Sequence, residues 1–142
     1  MIYVGIDSGK NTGYAVWDTQ SKNLLEVKTV LIHQAMKSVE ELNAQNPGKV
    51  VVRVEDARQR TWFGTERMSR DEERKKLQGV GSVKRDATIW EDFLVDLGVK
   101  FEMVAPKRSV TKMNSDTFKT YTKWAKRTSE HSRDAAMLVY GF

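Results

Sequence analysis

Apolar positions along the chain fall into short continuous runs that alternate with stretches of helical spacing. Ile2 to Ile6 form the first run and stop at Asp7-Ser8-Gly9; Tyr14-Ala15-Val16-Trp17 form the second, beyond the turn signal Asn11-Thr12-Gly13. Two such runs around a tight turn predict a β-hairpin. Leu24 to Ile32 predicts a third strand. Ala35, Val39 and Leu42 then recur at helical spacing until Asn46-Pro47-Gly48 ends the helix. Val50 to Glu55 is apolar apart from Arg53 and its terminal acid, as an interior strand covered on both faces would be.

Residues 57–84 are rich in Arg and Lys and poor in periodic apolar residues, which predicts a loop leading into a helix, with order returning at Asp86. Ile89, Trp90, Phe93, Leu94 and Leu97 trace a helical stripe closed by Gly98 at the C-cap position. Val99 to Val104 predicts a fifth strand. A helix from Ser115 to Lys126, with Phe118, Tyr121 and Ala125 on one face, and a last helix from Glu130 to the C-terminus complete the pattern. The order β-β-β-α-β-α-β-α-α predicts an α/β fold: a mixed five-stranded sheet with helices packed on it. At 142 residues, with no internal repeat, residues 1–142 read as one domain.

Composition narrows the chemistry. The chain has no Cys, which excludes disulfide scaffolds, thiolate metal sites and thiol nucleophiles. A net charge of +5 suggests an anionic partner. No basic leader precedes an apolar stretch at the N-terminus, and no apolar run nears the ~20 residues of a membrane span, so the chain reads as mature, soluble and intracellular, suited to a reducing cytoplasm.

Three acids stand where apolar elements reach the surface. Asp7 ends the first strand, Glu55 ends the fourth, and Asp134 lies in the first turns of the last helix with His131 three residues before it on the same face. Ligands of α/β sheets collect at the ends of adjacent strands. Each residue alone has a plainer reading: a turn former, a strand leaving the core, an acid favoured by a helix N-terminus, a surface imidazole. Nor does the sequence decide whether Glu55 or Asp56 faces the site. Should the acids converge, two carboxylates ~4 Å apart repel by ~4 kcal/mol at an effective dielectric near 20, so they require cations or protons. Mg²⁺ suits oxygen ligands and substrate phosphate, and two ions ~3.5–4 Å apart stabilise the attacking and leaving oxygens of a phosphodiester. Other motifs fail. Gly5-Ile-Asp-Ser-Gly-Lys-Asn11 is one residue short of a P-loop and lacks its Ser or Thr, and the chain is too short for the two lobes of an actin-like ATPase.

The sequence resembles the RuvC-type Holliday-junction resolvases of the RNase H-like superfamily. The resemblance rests on Gly5-Ile-Asp-Ser-Gly-Lys-Asn-Thr-Gly-Tyr-Ala-Val16, Val54-Glu55, Leu77-Gln-Gly-Val-Gly-Ser-Val83, Ala105-Pro-Lys-Arg-Ser-Val110 and His131-Ser-Arg-Asp-Ala-Ala136, in the family's order. It implies an RNase H-like fold with helices on both faces of the sheet. It implies that Asp7, Glu55 and Asp134 ligate Mg²⁺, two ions per site with Mn²⁺ able to substitute, and that His131, where many members have Asp, completes the site either as a metal ligand or in proton transfer. It further implies symmetric nicking of four-way junctions and other branched DNA by a homodimer, with no small-molecule cofactor, and dimer contacts through the helix of Ile89, Trp90, Phe93 and Leu94; core packing explains that stripe equally well. The compact length suits a bacteriophage member. A YqgF-like nuclease of structured RNA, and a non-catalytic nucleic-acid-binding protein on the same fold, are the alternatives.

The basic residues are unevenly placed. Between Ala105 and Arg127 stand Lys107, Arg108, Lys112, Lys119, Lys123, Lys126 and Arg127 against Asp116 alone, a local net of +6. By the resemblance, Lys107 or Arg108 is one basic contact to the scissile strand and Lys119 a second. Lys119, Lys123 and Lys126 follow helical spacing, which predicts a basic stripe suited to phosphates, a solvated helix face being the alternative. In the 57–84 segment, Arg58, Arg60, Trp62 and Phe63 follow Glu55 closely and predict a DNA-contacting loop in which an aromatic stacks on an unpaired base, a solvated loop of mixed charge being the alternative. The family's aromatic near the junction centre lies closer to the second acid, where this chain has Arg58.

Overall fold

A computed structural model describes residues 1–60, 69–107 and 112–142. Three strands, β1 (Ile2–Asp7), β2 (Asn11–Asp18) and β3 (Asn23–Leu31), lead into α1 (Ile32–Gln45) and then β4 (Val50–Glu55). A 3-10 turn at Ala57–Gln59 follows, and α2 (Arg70–Leu97), β5 (Lys100–Val104), α3 (Ser115–Thr122) and α4 (Glu130–Met137) complete the chain. The sheet order is β3-β2-β1-β4-β5, with β1–β2 and β2–β3 antiparallel and β1–β4 and β4–β5 parallel. This is the mixed five-stranded α/β sheet that the apolar runs predict.

Strand alternation divides the core between the two faces. Val4, Ile6, Tyr14, Val16, Val52 and Val54 pack beneath Ala35 and Val39 of α1 and Trp90 and Leu94 of α2. On the opposite face Ala15 and Val27 meet Phe118 of α3 and Ala135 and Ala136 of α4. Helices thus cover both faces. The stripe on α2 belongs largely to this core: Trp90 and Leu94 are fully buried, Phe93 and Leu97 pack against them, and Ile89 and Val95 face outward.

Two expectations are corrected. First, helix α2 begins at Arg70, sixteen residues before Asp86. Its start is set locally: Ser69 Oγ accepts from Glu72 N at 3.2 Å, and Asp71, Glu72 and Glu73 lie in the first turn, where the helix dipole favours them. The 28-residue helix spans about 42 Å, and its buried residues, Ala87, Trp90 and Leu94, all lie towards its C-terminal end. Its first half therefore has charged helix formers and no apolar stripe to betray it. Second, α3 stops at Thr122 because Lys123 adopts a left-handed conformation with φ 63°. That turn splits the predicted stripe, leaving Lys119 on the helix, Lys123 at its cap and Lys126 beyond it; Tyr121 and Ala125 are exposed, with the Tyr121 ring against that of Tyr140. Among the described residues no helix is long and apolar enough to cross a membrane.

Candidate active site

β1 and β4 are parallel neighbours with Ile6 opposite Val54, so the next residues, Asp7 and Glu55, leave the sheet side by side at its carboxyl edge. A third acid reaches this edge from α4, and two glycines explain how. A Cβ on Gly5 would stand 2.0 Å from the Ala135 carbonyl oxygen, and a Cβ on Gly13 would stand 1.9 Å from that of His131. The backbone of α4 therefore lies directly on β1 and β2, an approach that only glycine permits. Gly13 is also the register partner of Asp7, so the first turn of α4 is seated beside the acid that ends β1.

The N-terminus of α4 is fixed by a capping box. Ser129 Oγ accepts from Ser132 N at 3.3 Å, and Ser132 Oγ accepts from Ser129 N at 2.9 Å. Arg133 donates to the Met113 carbonyl at 3.0 Å and to Thr128 Oγ1 at 3.1 Å, tying the chain just before α3 and the α3–α4 connection to the helix. With the helix so placed, the imidazole of His131 donates from Nδ1 to Asp7 Oδ2 at 3.1 Å. Asp134 Oδ2 lies 3.1 Å from Lys112 Nζ, which also donates to Glu130 Oε1 at 2.7 Å. Glu55, Asp134, Lys107, Lys112, Pro106 and Met137 share the walls of a cleft of about 210 Å³.

The structure also separates Glu55 from Asp56. Asp56 is buried and turned inward, where Arg58 donates to both carboxylate oxygens at 2.8 and 3.0 Å and Gln59 Nε2 donates at 3.1 Å. These bonds hold the Asp56 carboxyl below its usual range. Glu55 faces Asp7 and Asp134. Burial, then the charges of Asp7 and Asp134, push its carboxyl up to about 7, with Lys112 and Arg60 opposing. Asp7 is also raised, first by burial and then by Asp134, against the hydrogen bond from His131. Carboxylates that raise one another in this way are short of positive charge.

That shortage is what a hard divalent cation relieves, and the donor set of carboxylates with one imidazole fits Mg²⁺ or Mn²⁺. Among the described residues no three Asp, Glu or His side chains are drawn close enough to hold an ion in this arrangement. Asp7 is instead bonded to His131, and Asp134 to Lys112.

The predicted nucleic-acid residues divide into three groups. Lys107 and Lys112 stand at the cleft, Lys119 and Lys123 are exposed on and just after α3, and Arg60 is exposed beyond the 3-10 turn. Arg58 is occupied within the fold, since besides Asp56 it donates to Glu91 Oε1 of α2 at 3.0 Å. Its guanidinium clamps the end of β4 to α2. Trp62, Phe63 and Arg108 lie outside the described residues. Sequence reasoning missed the role of Gly5 and Gly13, although a glycine inside a strand is the known signal of close backbone approach. It also missed Glu130 as the second partner of Lys112.

No protein-family model matches the chain, and no curated protein matches it in sequence. In structure it is similar to T. thermophilus RuvC in complex with a Holliday junction substrate, with a TM-score of 0.59 and 16% identity over 97% of this chain and 90% of that one. The fold is therefore RNase H-like.

Proposed function

We propose that this protein is a divalent-metal-dependent endonuclease that nicks branched DNA, four-way junctions above all, by water attack on a phosphodiester. The observation that supports this reading is that Asp7 and Glu55 end neighbouring strands while α4, lying on Gly5 and Gly13, sets His131 against Asp7 and Asp134 in the cleft with Glu55. A fold like that of a junction-bound resolvase over nearly the whole chain supports the choice of substrate.

Asp7, Glu55 and Asp134, with His131, would hold the metal. When bound, the ions would neutralise the scissile phosphate and favour both the attacking and the leaving oxygen. The chain's own groups do the rest. The edge of β1 and β4 sets the spacing of the two strand carboxylates, and α4 carries the other two groups on its capped first two turns. His131 fixes Asp7 through its hydrogen bond and offers an imidazole for proton transfer at the same place. Lys107 and Lys112 give the cleft a positive wall for the strand, while Lys119, Lys123 and Arg60 extend the contact to phosphates outside it.

Paired nicks across a two-fold junction need two sites, so the active species is an isologous dimer. The exposed Ile89 and Val95 of α2 belong to its contact surface, the buried Trp90 and Leu94 do not. The test compares cleavage, with Mg²⁺, of four-way DNA junctions, linear duplex and structured RNA, alongside the solution mass of the protein. Preferential junction cutting by a dimer is expected. Cutting of structured RNA alone would replace this reading with an RNA nuclease, and binding without cutting would replace it with a non-catalytic binder.

A further inference from the structure

The cleft contains a cation that belongs to the chain itself. Lys112 Nζ stands 3.1 Å from Asp134 Oδ2 and 2.7 Å from Glu130 Oε1, on the wall that also carries Glu55. The two acids differ in setting. Asp134 is largely covered, its side chain 22% exposed, and faces the cleft; Glu130, four residues earlier on α4, is 57% exposed and faces out. The lysine side chain is itself 60% exposed, and its ammonium bridges the two carboxylates at the rim of the cleft.

A hydrated divalent cation and an ammonium seek the same carboxylate oxygens, and Asp134 cannot serve both at close range. We propose that Lys112 is a built-in competitor for the divalent-cation site: its ammonium neutralises Asp134 when no metal is bound and is displaced towards Glu130 when metal enters. Glu130 is thus a holding partner, placed outside the site to receive the displaced charge. Lys112 is a positioning residue here, acting through Asp134. The inference rests on the proposed function only in assigning the cation to these carboxylates, not in the substrate or the cutting.

The arrangement has an arithmetic consequence. If the site is open to metal only in the fraction of molecules in which Lys112 has left Asp134, the apparent affinity is lowered by that fraction. An exposed ion pair of ordinary strength holds the closed form in several-fold excess, so removing the ammonium tightens metal binding about fivefold.

The experiment is isothermal titration of the full chain with MgCl2 alone, without nucleic acid. Lys112→Gln is expected to bind Mg²⁺ about fivefold more tightly than the parent, and Lys112→Arg, which keeps the charge, to bind like the parent. Glu130→Gln, which leaves the ammonium on Asp134, is expected to bind more weakly. The double variant is expected to match Lys112→Gln within twofold, because with the lysine gone Glu130 has nothing to hold. Circular-dichroism melts verify folding, and Lys112→Met, which keeps the aliphatic stem, repeats the measurement should the amide variant not fold. Unchanged or weaker binding in Lys112→Gln and Lys112→Met, or simple addition of the two effects in the double variant, overturns the proposal. The nuclease reading stands or falls separately: tighter Mg²⁺ binding in a chain that cuts no junction leaves the competitor and removes the nuclease. Cutting with no gain in affinity does the reverse, and no Mg²⁺ binding by any variant removes both.

Discussion

Gly13→Ala adds one methyl group at the place where α4 rests on the sheet. Its Cβ would lie 1.9 Å from the His131 carbonyl oxygen and 2.5 Å from the carbonyl carbon, both backbone atoms that no side-chain rotation moves aside. Relief to an ordinary contact near 3.4 Å requires α4 to rise by about 1.5 Å at the turn that carries His131. Overpacking of this kind costs about 1–3 kcal/mol of stability. Misplacement of a reacting group by ~1 Å lowers a rate by ~10²-fold. The His131–Asp7 hydrogen bond, now 3.1 Å, would be lost with the shift. We therefore expect Gly13→Ala to melt several degrees lower and to cut four-way junctions about a hundredfold more slowly, even at temperatures where it is fully folded. Gly79→Ala is the matched control. It is the same chemical change in helix α2, with no atom within 4 Å of the new Cβ, and helix propensity favours it by about 0.5–1 kcal/mol. Thermal melts and single-turnover cleavage of the two variants and the parent decide the matter. A Gly13→Ala protein with parental stability and rate would refute the claim that this glycine sets the position of α4.

Four further outcomes follow from the same geometry. The raised Glu55 carboxyl makes metal-free stability depend on pH: the group holds its proton in the folded state up to about 7 and only to its ordinary 4.5 when unfolded, so its contribution is complete below 4.5 and is lost as pH rises through 7. Allowing for solvent screening at the open cleft, the loss is about 2 kcal/mol, measurable as a falling melting temperature from pH 5 to 8 that Glu55→Gln flattens and Mg²⁺ reverses. Asp7→Asn is expected to bind junctions nearly as the parent does, by gel shift in Ca²⁺, while losing cleavage; equal loss of both would make Asp7 structural. His131→Asp is expected to keep Mg²⁺-dependent cutting, as a ligand replacement should, and a folded but inactive variant would assign the imidazole a task of its own. Arg58→Ala leaves the buried Asp56 carboxylate without its main partner, so denaturant unfolding should show a loss of about 2 kcal/mol.

The parts of the fold that burial dictates were legible in the sequence, and the parts held by local or polar terms were not. Runs such as Val50–Val54 and the stripe of Trp90 and Leu94 announce their elements because they supply the core on both sides of the sheet. The first half of α2 supplies none of it and is held by Ser69, by acids in its first turn and by helix propensity, so no apolar period marks it. The end of α3 depends on the backbone angle of one lysine. At the site, Asp7, Glu55, His131 and Asp134 stood out by their places at element ends. Choosing between Glu55 and Asp56 needed the inward pull of Arg58, a contact between neighbours that charge counting reads as two surface groups. For the same reason the sequence points Arg58 towards DNA, whereas in the structure its guanidinium is bonded to Asp56 and Glu91.

The central claim is most directly tested by starting the purified protein with Mg²⁺ on a four-way junction whose strands are labelled one at a time, and resolving the products on a denaturing gel. The account predicts nicks at symmetric positions on two opposed strands, with 5′-phosphate ends that ligase reseals, and no products without divalent metal or with Glu55→Gln. Junctions left intact under these conditions by a folded, junction-binding protein, or cut equally well by Glu55→Gln, would contradict it.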